Sequence, residues 1–416
     1  MGIGLSCLGI GAASWITSAL ASCFSAAACT LAFKSCNCNN SIATRICFAI
    51  IFLLNSMLAW IMLSDWAIKQ LEKILHDYLQ LNCKEGTCYG VLAVHRICFA
   101  LSLFHLFLGL LVVGVYDTRD KRASIQNGWW GPKILLWITF VIISFFIPNG
   151  FFIFWGNYIA LIGATLFILV GLVLLVDFAH TWSERCIENW ENNDDRWKYI
   201  LIGSTIAMFI GSIVLTGVMY GFFTGKGCGL NQFFITFNLI LCLIVIGLCI
   251  HPTVQEANSR SGLSQASMVV IYCTYVIMSA VVNEPDDNMC NPLTRSRGTR
   301  TTTIVIGALF TFLAIAYSTS RAATQGALIT KSDYHPLNTA SAVPLMTNQP
   351  DASMYVAMLL TNWNNVTTTG SDELIVIGQS YIAVWVKVIS SWICLLLYSW
   401  TLVGPVLLPE RFIVSR

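Results

Sequence analysis

The stretch FFIFWGNYIALIGATLFILVGLVLLVDFAHTWSERCIENWE, residues 151–191, decides the fold. From Phe151 to Ala179 its only formally charged side chain is Asp177. A run this apolar, placed in lipid, must bond its backbone internally, so it is read as a helix. At 1.5 Å per residue the apolar part is about 43 Å long, against a hydrocarbon core of about 30 Å. It must therefore tilt, by roughly 45°, or protrude. Past the apolar part the composition turns polar while the helical phase continues. Asp177, His180, Glu184, Glu188 and Glu191 are spaced 3, 4, 4 and 3 and form one stripe.

The rest of the chain repeats this theme. Of 416 residues, 56% are hydrophobic and 11% charged, and mean hydropathy is +0.71. A soluble domain carries about 25% charge. About ten stretches are long enough to cross a bilayer: 42–64, 91–115, 131–149, 153–181, 197–224, 232–250, 264–282, 301–319, 352–367 and 381–407. The expected fold class is an all-α polytopic membrane protein, residues 1–416 forming a single transmembrane domain. Residues 1–41 are a segment rich in small residues and Cys. Its part 11–33 is open to three readings: a span, a re-entrant hairpin or an interfacial segment.

Loop charges set the orientation. The loops near 34–45, 116–133, 182–198, 251–263 and 320–351, with the C-terminus, hold fourteen Lys and Arg; the alternate set holds seven. The richer set, including loop 320–351, is read as cytosolic. The poorer set contains Cys83, Cys88, Cys228 and Cys290, where an oxidising lumen permits disulfides. It also contains the sequon Asn365-Val366-Thr367, a glycosylation candidate. A second sequon at Asn39 falls on the cytosolic side and is read as chance. The remaining cysteines lie mostly in spans and read as small hydrophobes. Cys36 and Cys38 are too few for a zinc site and better suited to palmitoylation. No basic region precedes the first apolar run, so no cleavable signal peptide is expected. Met1-Gly2-Ile3-Gly4-Leu5-Ser6-Cys7 fits an acylation pattern, making Gly2 and Cys7 acylation candidates. That reading needs a cytosolic N-terminus, and so conflicts with a true crossing at 11–33.

Ionisable residues at membrane depth ordinarily face a protein interior or a wet cavity. Asp177 and His180 are candidates for a polar pathway; the plainer reading is that they pair with each other or with a neighbouring helix. Arg96 and Lys387 lie in spans near the lumenal side, where snorkelling is the ordinary explanation and an inward-facing headgroup contact the alternative. His95 and His105 read as core histidines bonded to backbone carbonyls. Gly217 and Gly221 form a G-x-x-x-G packing pair. No nucleotide-binding loop, H-E-x-x-H, G-x-S-x-G or metal-spaced cluster is present, so no cofactor, metal or enzyme activity is expected. Ser390 and Ser391 lie one turn from Lys387 but lack the polar pocket a Ser–Lys catalytic pair needs. A net charge of +2 without a basic patch argues against nucleic acid.

Several strings together resemble one family. LLVDFAHTW (174–182), IHPTVQEANSRSGLSQAS (250–267), NEPDDNMCNP (283–292), LTNW (360–363), VWVKVISSWICLLLYSWTLVGP (384–405) and NGWWGPKIL (127–135) are similar to the Serinc, or serine incorporator, family, in the manner of a fungal or other non-animal member. The resemblance implies ten helices in two bundles crossed by a long diagonal helix, for which 151–191 is the natural candidate. It also implies scramblase-type phospholipid transport without nucleotide hydrolysis, in an endomembrane of Golgi, vacuole or lysosome type or in the plasma membrane. Two alternatives accompany it: a non-catalytic accessory promoting serine incorporation into phosphatidylserine and sphingolipids, and a structural modulator of membrane order. Implied partners are membrane phospholipids, with phosphatidylserine among them, lipid-synthesising enzymes and a second copy of the chain. Pathway candidates are Asp177, His180, Arg96 and Lys387, with Glu256, Arg260 and Glu284 at the mouths. One departure stands out. NTASAVPLMTNQPD (338–351) precedes the ninth span where relatives carry an acidic, aromatic-rich segment, so either residues are absent there or that helix begins differently.

Overall fold

The computed structural model describes residues 41–70, 87–112, 125, 128–192, 195–257, 262–285, 290–292, 343–369 and 374–407. The readings at Gly2, Cys7, 11–33, Cys36, Cys38, Cys83, Arg260 and 301–319 lie outside them. The described helices are α1 (Ser41–Ile61), α2 (Thr87–Val112), α3 (Trp130–Phe146), α4 (Asn149–Glu191), α5 (Arg196–Phe223), α6 (Gly229–Ile250), α7 (Pro252–Ala257), α8 (Leu263–Val282), α9 (Val343–Leu360) and α10 (Tyr381–Leu407). Six of them are long and apolar enough to cross a membrane: α2, α4, α5, α6, α8 and α10. Two shorter apolar helices, Cys47–Ile61 and Trp130–Phe146, accompany them. The chain is a polytopic, all-α membrane protein, and its one β element among the described residues is a small hairpin.

The helices form two groups. In the first, α2 is the hub, packed on α1, α3 and α9. In the second, α8 is the hub, packed on α5, α6 and α10. Both hubs are buried over most of their length, whereas α5 is exposed almost throughout. Without a hydrophobic drive between helices in lipid, such packing rests on close approach and hydrogen bonds. Ser102 and Ser353 bond each other and the Pro350 carbonyl, tying α2 to α9. Ser391 Oγ donates to Asn238 Oδ1 or to the Cys273 carbonyl, each at 3.2 Å, tying α10 to α6 and α8.

Helix α4 belongs to both groups, touching α9 on one side and α5, α8 and α10 on the other. Its 43 residues span about 65 Å, twice the hydrocarbon core. It begins with one α turn, passes through a π-turn at Trp155–Ala160, and continues as regular α-helix from Leu161 to Glu191. At Gly163 it crosses α9 so closely that a Cβ there would collide with the Met354 side chain.

The ninth span differs from the sequence reading. Instead of 352–367, the helix is Val343–Leu360, so 343–351, assigned above to the cytosolic loop, are helical. Pro350 lies within it, and its own carbonyl accepts from the Ser102 and Ser353 hydroxyls. The helix stops at Leu360, where Asn362 and Trp363 take left-handed conformations, φ 55° and 56°. Asn365–Thr369 then pairs antiparallel with Leu374–Gly378, with Asn365 opposite Gly378 and Thr369 opposite Leu374. The β-branched run VTTT and the segment LIVI suit a strand better than the end of a helix.

Candidate functional site

Helix α4 is anchored at the end where it follows α3. Arg96, 1% exposed on α2, donates to the carbonyls of Ser144 at 2.5 Å and Ile147 at 2.8 Å, and to Asn149 Oδ1. Its guanidinium also lies 4.4 Å from the centre of the Phe152 ring. The last carbonyls of α3 have no partners within their own helix, and a fork of N–H donors satisfies them. Arg96 is thus neither snorkelling nor directed at lipid. Beyond it, Asn157 in the π-turn donates to the Val366 carbonyl at 2.7 Å and accepts from the Val366 N–H at 3.1 Å, seating the hairpin on α4.

Lys387 repeats the arrangement in the second group. It is 3% exposed, and Nζ donates to Ser279 O at 3.2 Å and Ser279 Oγ at 2.9 Å while lying 4.7 Å from the Trp363 ring. Ser279 is in the last turn of α8, the negative end of that helix. Two acceptors and a π face occupy the three protons of the ammonium. Uncompensated, a buried charge costs several kcal/mol; hydrogen bonds to a charged group return about 1.5–3 kcal/mol each. Both intramembrane cations therefore close the C-terminal end of a helix. A third, Lys133, counted above among cytosolic loop charges, is also buried, its Nζ 4.2 Å from the Trp130 ring and 4.8 Å from the Phe48 ring.

Glu284 is 3% exposed just past the end of α8 and accepts from Asn231 Nδ2. Asn291 donates to the Glu284 and Val282 carbonyls at 3.1 and 2.6 Å. Cys228 and Cys290 form a disulfide with Cα atoms 5.6 Å apart, fastening this loop to the start of α6. Cys88 is also disulfide-bonded. Glu256 is exposed on α7. His105 donates from Nδ1 to the Leu101 carbonyl at 2.9 Å, the bonding read for it above. His95 has no such partner on either nitrogen.

The remaining candidates lie along α4. Asp177 and His180 are half-buried, and His180 lies within electrostatic reach of both Glu184 and Asp177. Glu184, Glu188 and Glu191 are exposed, so the stripe runs from a half-buried to a solvated face. Toward the π-turn, a cleft of about 380 Å³ opens between α4 and α10. Thr165 and Leu169 line one side; Tyr381, Trp385, Ile389 and Ile393 line the other. Apart from a few hydroxyls the walls are apolar, and Trp385, Ile389 and Ile393 are exposed at its rim. Thr165, Leu169, Val176 and His180, spaced 4, 7 and 4, share one face of α4. The structure thus joins His180 and its neighbour Asp177 to the cleft through a common helix, while Arg96, Lys387 and Glu284 sit apart from it. The cleft itself, Asn157, Asn231 and Trp363 escaped sequence reasoning; only the left-handed pair before the hairpin had a signal, the Asn-Trp-Asn run that stops a helix. No group of three His, Cys, Asp or Glu able to hold a metal occurs among the described residues.

Comparison with known proteins gives a consistent result. The family model for serine incorporator (Serinc) proteins matches residues 21–349 and 351–411. The chain is 43% identical over 404 residues to membrane protein PB1A10.07c of Schizosaccharomyces pombe, covering 90% of this chain and 91% of that protein. It is 38% identical to membrane protein TMS1 of Saccharomyces cerevisiae, covering 94% and 96%. To serine incorporator 3 of Bos taurus it is 33% identical, covering 96% and 97%.

Proposed function

The chain belongs to the serine incorporator (Serinc) family, and on that premise we propose that it moves phospholipids between leaflets without nucleotide hydrolysis. The observation that carries the reading is the lateral cleft between α4 and α10. Its apolar walls and exposed rim suit an acyl chain entering sideways from the bilayer. The same face of α4 leads on to His180, beside Asp177, polar groups at a depth where a headgroup otherwise meets only hydrocarbon. Carrying a charged group through that region unaided costs several kcal/mol or more, and a polar track lowers the barrier. Phosphatidylserine is among the lipids that would use it.

Fluorescent-lipid exchange in liposomes containing the purified protein tests this directly. Leu169→Trp or Ile389→Trp, which fill the cleft from opposite walls, should each slow exchange several-fold while thermal unfolding stays near wild type. Exchange no faster than in protein-free liposomes would reject the reading. The animal relatives are named serine incorporators, and that name favours a second reading, an accessory that promotes serine incorporation. That reading requires a stable partnership with a lipid-synthesising enzyme and no exchange by the purified protein alone.

A further inference from the structure

Ser390 and Ser391 are neighbours on α10 with different surroundings. Ser391, 0% exposed, donates to Asn238 Oδ1 or to the Cys273 carbonyl and belongs to the packing of α10 on α6 and α8. Ser390 faces the cleft instead, on the wall opposite Thr165 and Leu169. It is 2% exposed, yet its Oγ stays accessible and bonds to nothing else among the described residues. Other hydroxyls on these helices turn back on their own backbone: Thr165 donates to the Leu161 carbonyl, Thr205 to Leu201 and Ser399 to Leu395, each at 2.8 Å. That is the ordinary local bond of Ser and Thr within a helix. A hydroxyl left unbonded in apolar surroundings is unfavourable, so nothing in the folding of α10 calls for one at Ser390. Its depth sharpens the point. Ser390 lies nine residues, about 14 Å, along α10 from Tyr381, at the level of the hydrocarbon rather than of the headgroups.

We propose that Ser390 is a headgroup contact inside the cleft, donating a hydrogen bond to the phosphodiester of a phospholipid in transit. The inference rests on the transport reading above and names the lipid group that the cleft receives. A phosphodiester is an anion that only accepts hydrogen bonds, and bonds to ionised acceptors are stronger than those between neutral groups. Across the cleft, the Thr165 hydroxyl already donates to the Leu161 carbonyl and is left as an acceptor. Ser390 can donate without breaking any bond within the protein. An acyl chain makes no use of such a donor. The cations Arg96 and Lys387, which would hold a phosphate as full charges, are committed to helix ends away from the cleft. A single hydroxyl in an apolar wall is a weak ligand, and a pathway needs weak ligands: a stop midway must favour entry without becoming a trap.

Exchange of acyl-labelled phosphatidylcholine and phosphatidylserine in liposomes containing the purified protein tests the contact, read together with thermal unfolding of each variant. Ser390→Ala should slow exchange of both lipids several-fold, by a similar factor because both carry the phosphodiester. It should unfold at or above the wild-type temperature. Ser390→Thr, which keeps a hydroxyl, should recover most of the rate. Wild-type rates in Ser390→Ala overturn the proposal while the transport reading stands. Slowing confined to phosphatidylserine also overturns it, since the contact then lies on the serine portion. So does a lower unfolding temperature of Ser390→Ala, because the hydroxyl then serves the fold. A wild-type protein that exchanges no lipid rejects the transport reading and this contact with it.

Discussion

A positive charge inside a bilayer invites a functional explanation, and at Arg96 and Lys387 geometry supplies a structural one. Each lies in one helix and occupies carbonyls in the last turn of another, and each is flanked by an aromatic face. The partners of Arg96 are 48 to 53 residues away in sequence and those of Lys387 are 108 away. No local pattern could therefore have separated this role from snorkelling or a headgroup contact, although the presence of both charges at membrane depth was plain. Lys387→Met should lower stability by about 1–3 kcal/mol through the Ser279 acceptors left without a donor. Arg96→Met should cost more, because three acceptors lose their donor together, and Arg96→Lys should fall between, since an ammonium cannot reproduce the fork. Thermal or denaturant unfolding in detergent measures all three. If Lys387→Met instead unfolds like wild type while lipid exchange drops, Lys387 belongs to the transport path rather than to α8.

Among the elements, α4 was the most legible in sequence and the least completely so. Its length, its excess over the bilayer and its polar stripe all follow from residues 151–191. The π-turn does not, because a single Gly156 and Asn157 occur in ordinary α-helices too, and only their tertiary contacts, Asn157 with the hairpin and Gly156 with His95, mark this turn out. The ninth helix was misread at both ends for a related reason. The start was misplaced because the polar segment before Ala352 gave no sign that the helix begins at Val343, and the hydrophobic count alone could not tell the strand Asn365–Thr369 from the end of a span. Two predictions belong here. Gly163→Ala forces Met354 aside at the crossing of α4 and α9, and overpacking of this kind costs about 1–3 kcal/mol; the unfolding temperature should fall, and a second change of Met354→Ala should restore part of it. Asp177→Asn and His180→Gln should each alter exchange, with the double variant little different from the stronger single, because neighbours on one face act as a unit. Strictly additive rates would make the two residues independent, and unchanged rates in all three would leave them as packing features.

At the scale of the molecule, the two groups of helices are each centred on a buried hub, and α4 spans both. The approximate limits of most spans among the described residues were readable because lipid imposes a length and an internally bonded backbone on every crossing. Which helices neighbour which was not, since in lipid all apolar faces are equivalent and small polar bonds such as Ser391 to Asn238 decide. The Cys228–Cys290 bond holds the second group at one end. Replacing both cysteines by Ser should reduce stability by about 2–4 kcal/mol, toward the lower figure because membrane-held helices already restrict the loop's ends. Denaturant unfolding with and without reductant checks this; a double variant as sensitive to reductant as wild type would point to the bond at Cys88 as the one that matters.

That same bond orders events during biogenesis. Its two sulfurs are separated by 62 residues that contain α6, α7 and α8. Cys290 emerges from the ribosome only after both α6 and α8 have been synthesised, and it shares a compartment with Cys228 only when the two helices cross together or not at all, since a single crossing leaves the sulfurs on opposite sides. A nascent chain stalled with α8 uninserted keeps a free thiol at Cys228. A Cys228–Cys290 bond is therefore incompatible with a chain in which only one of the two helices has crossed.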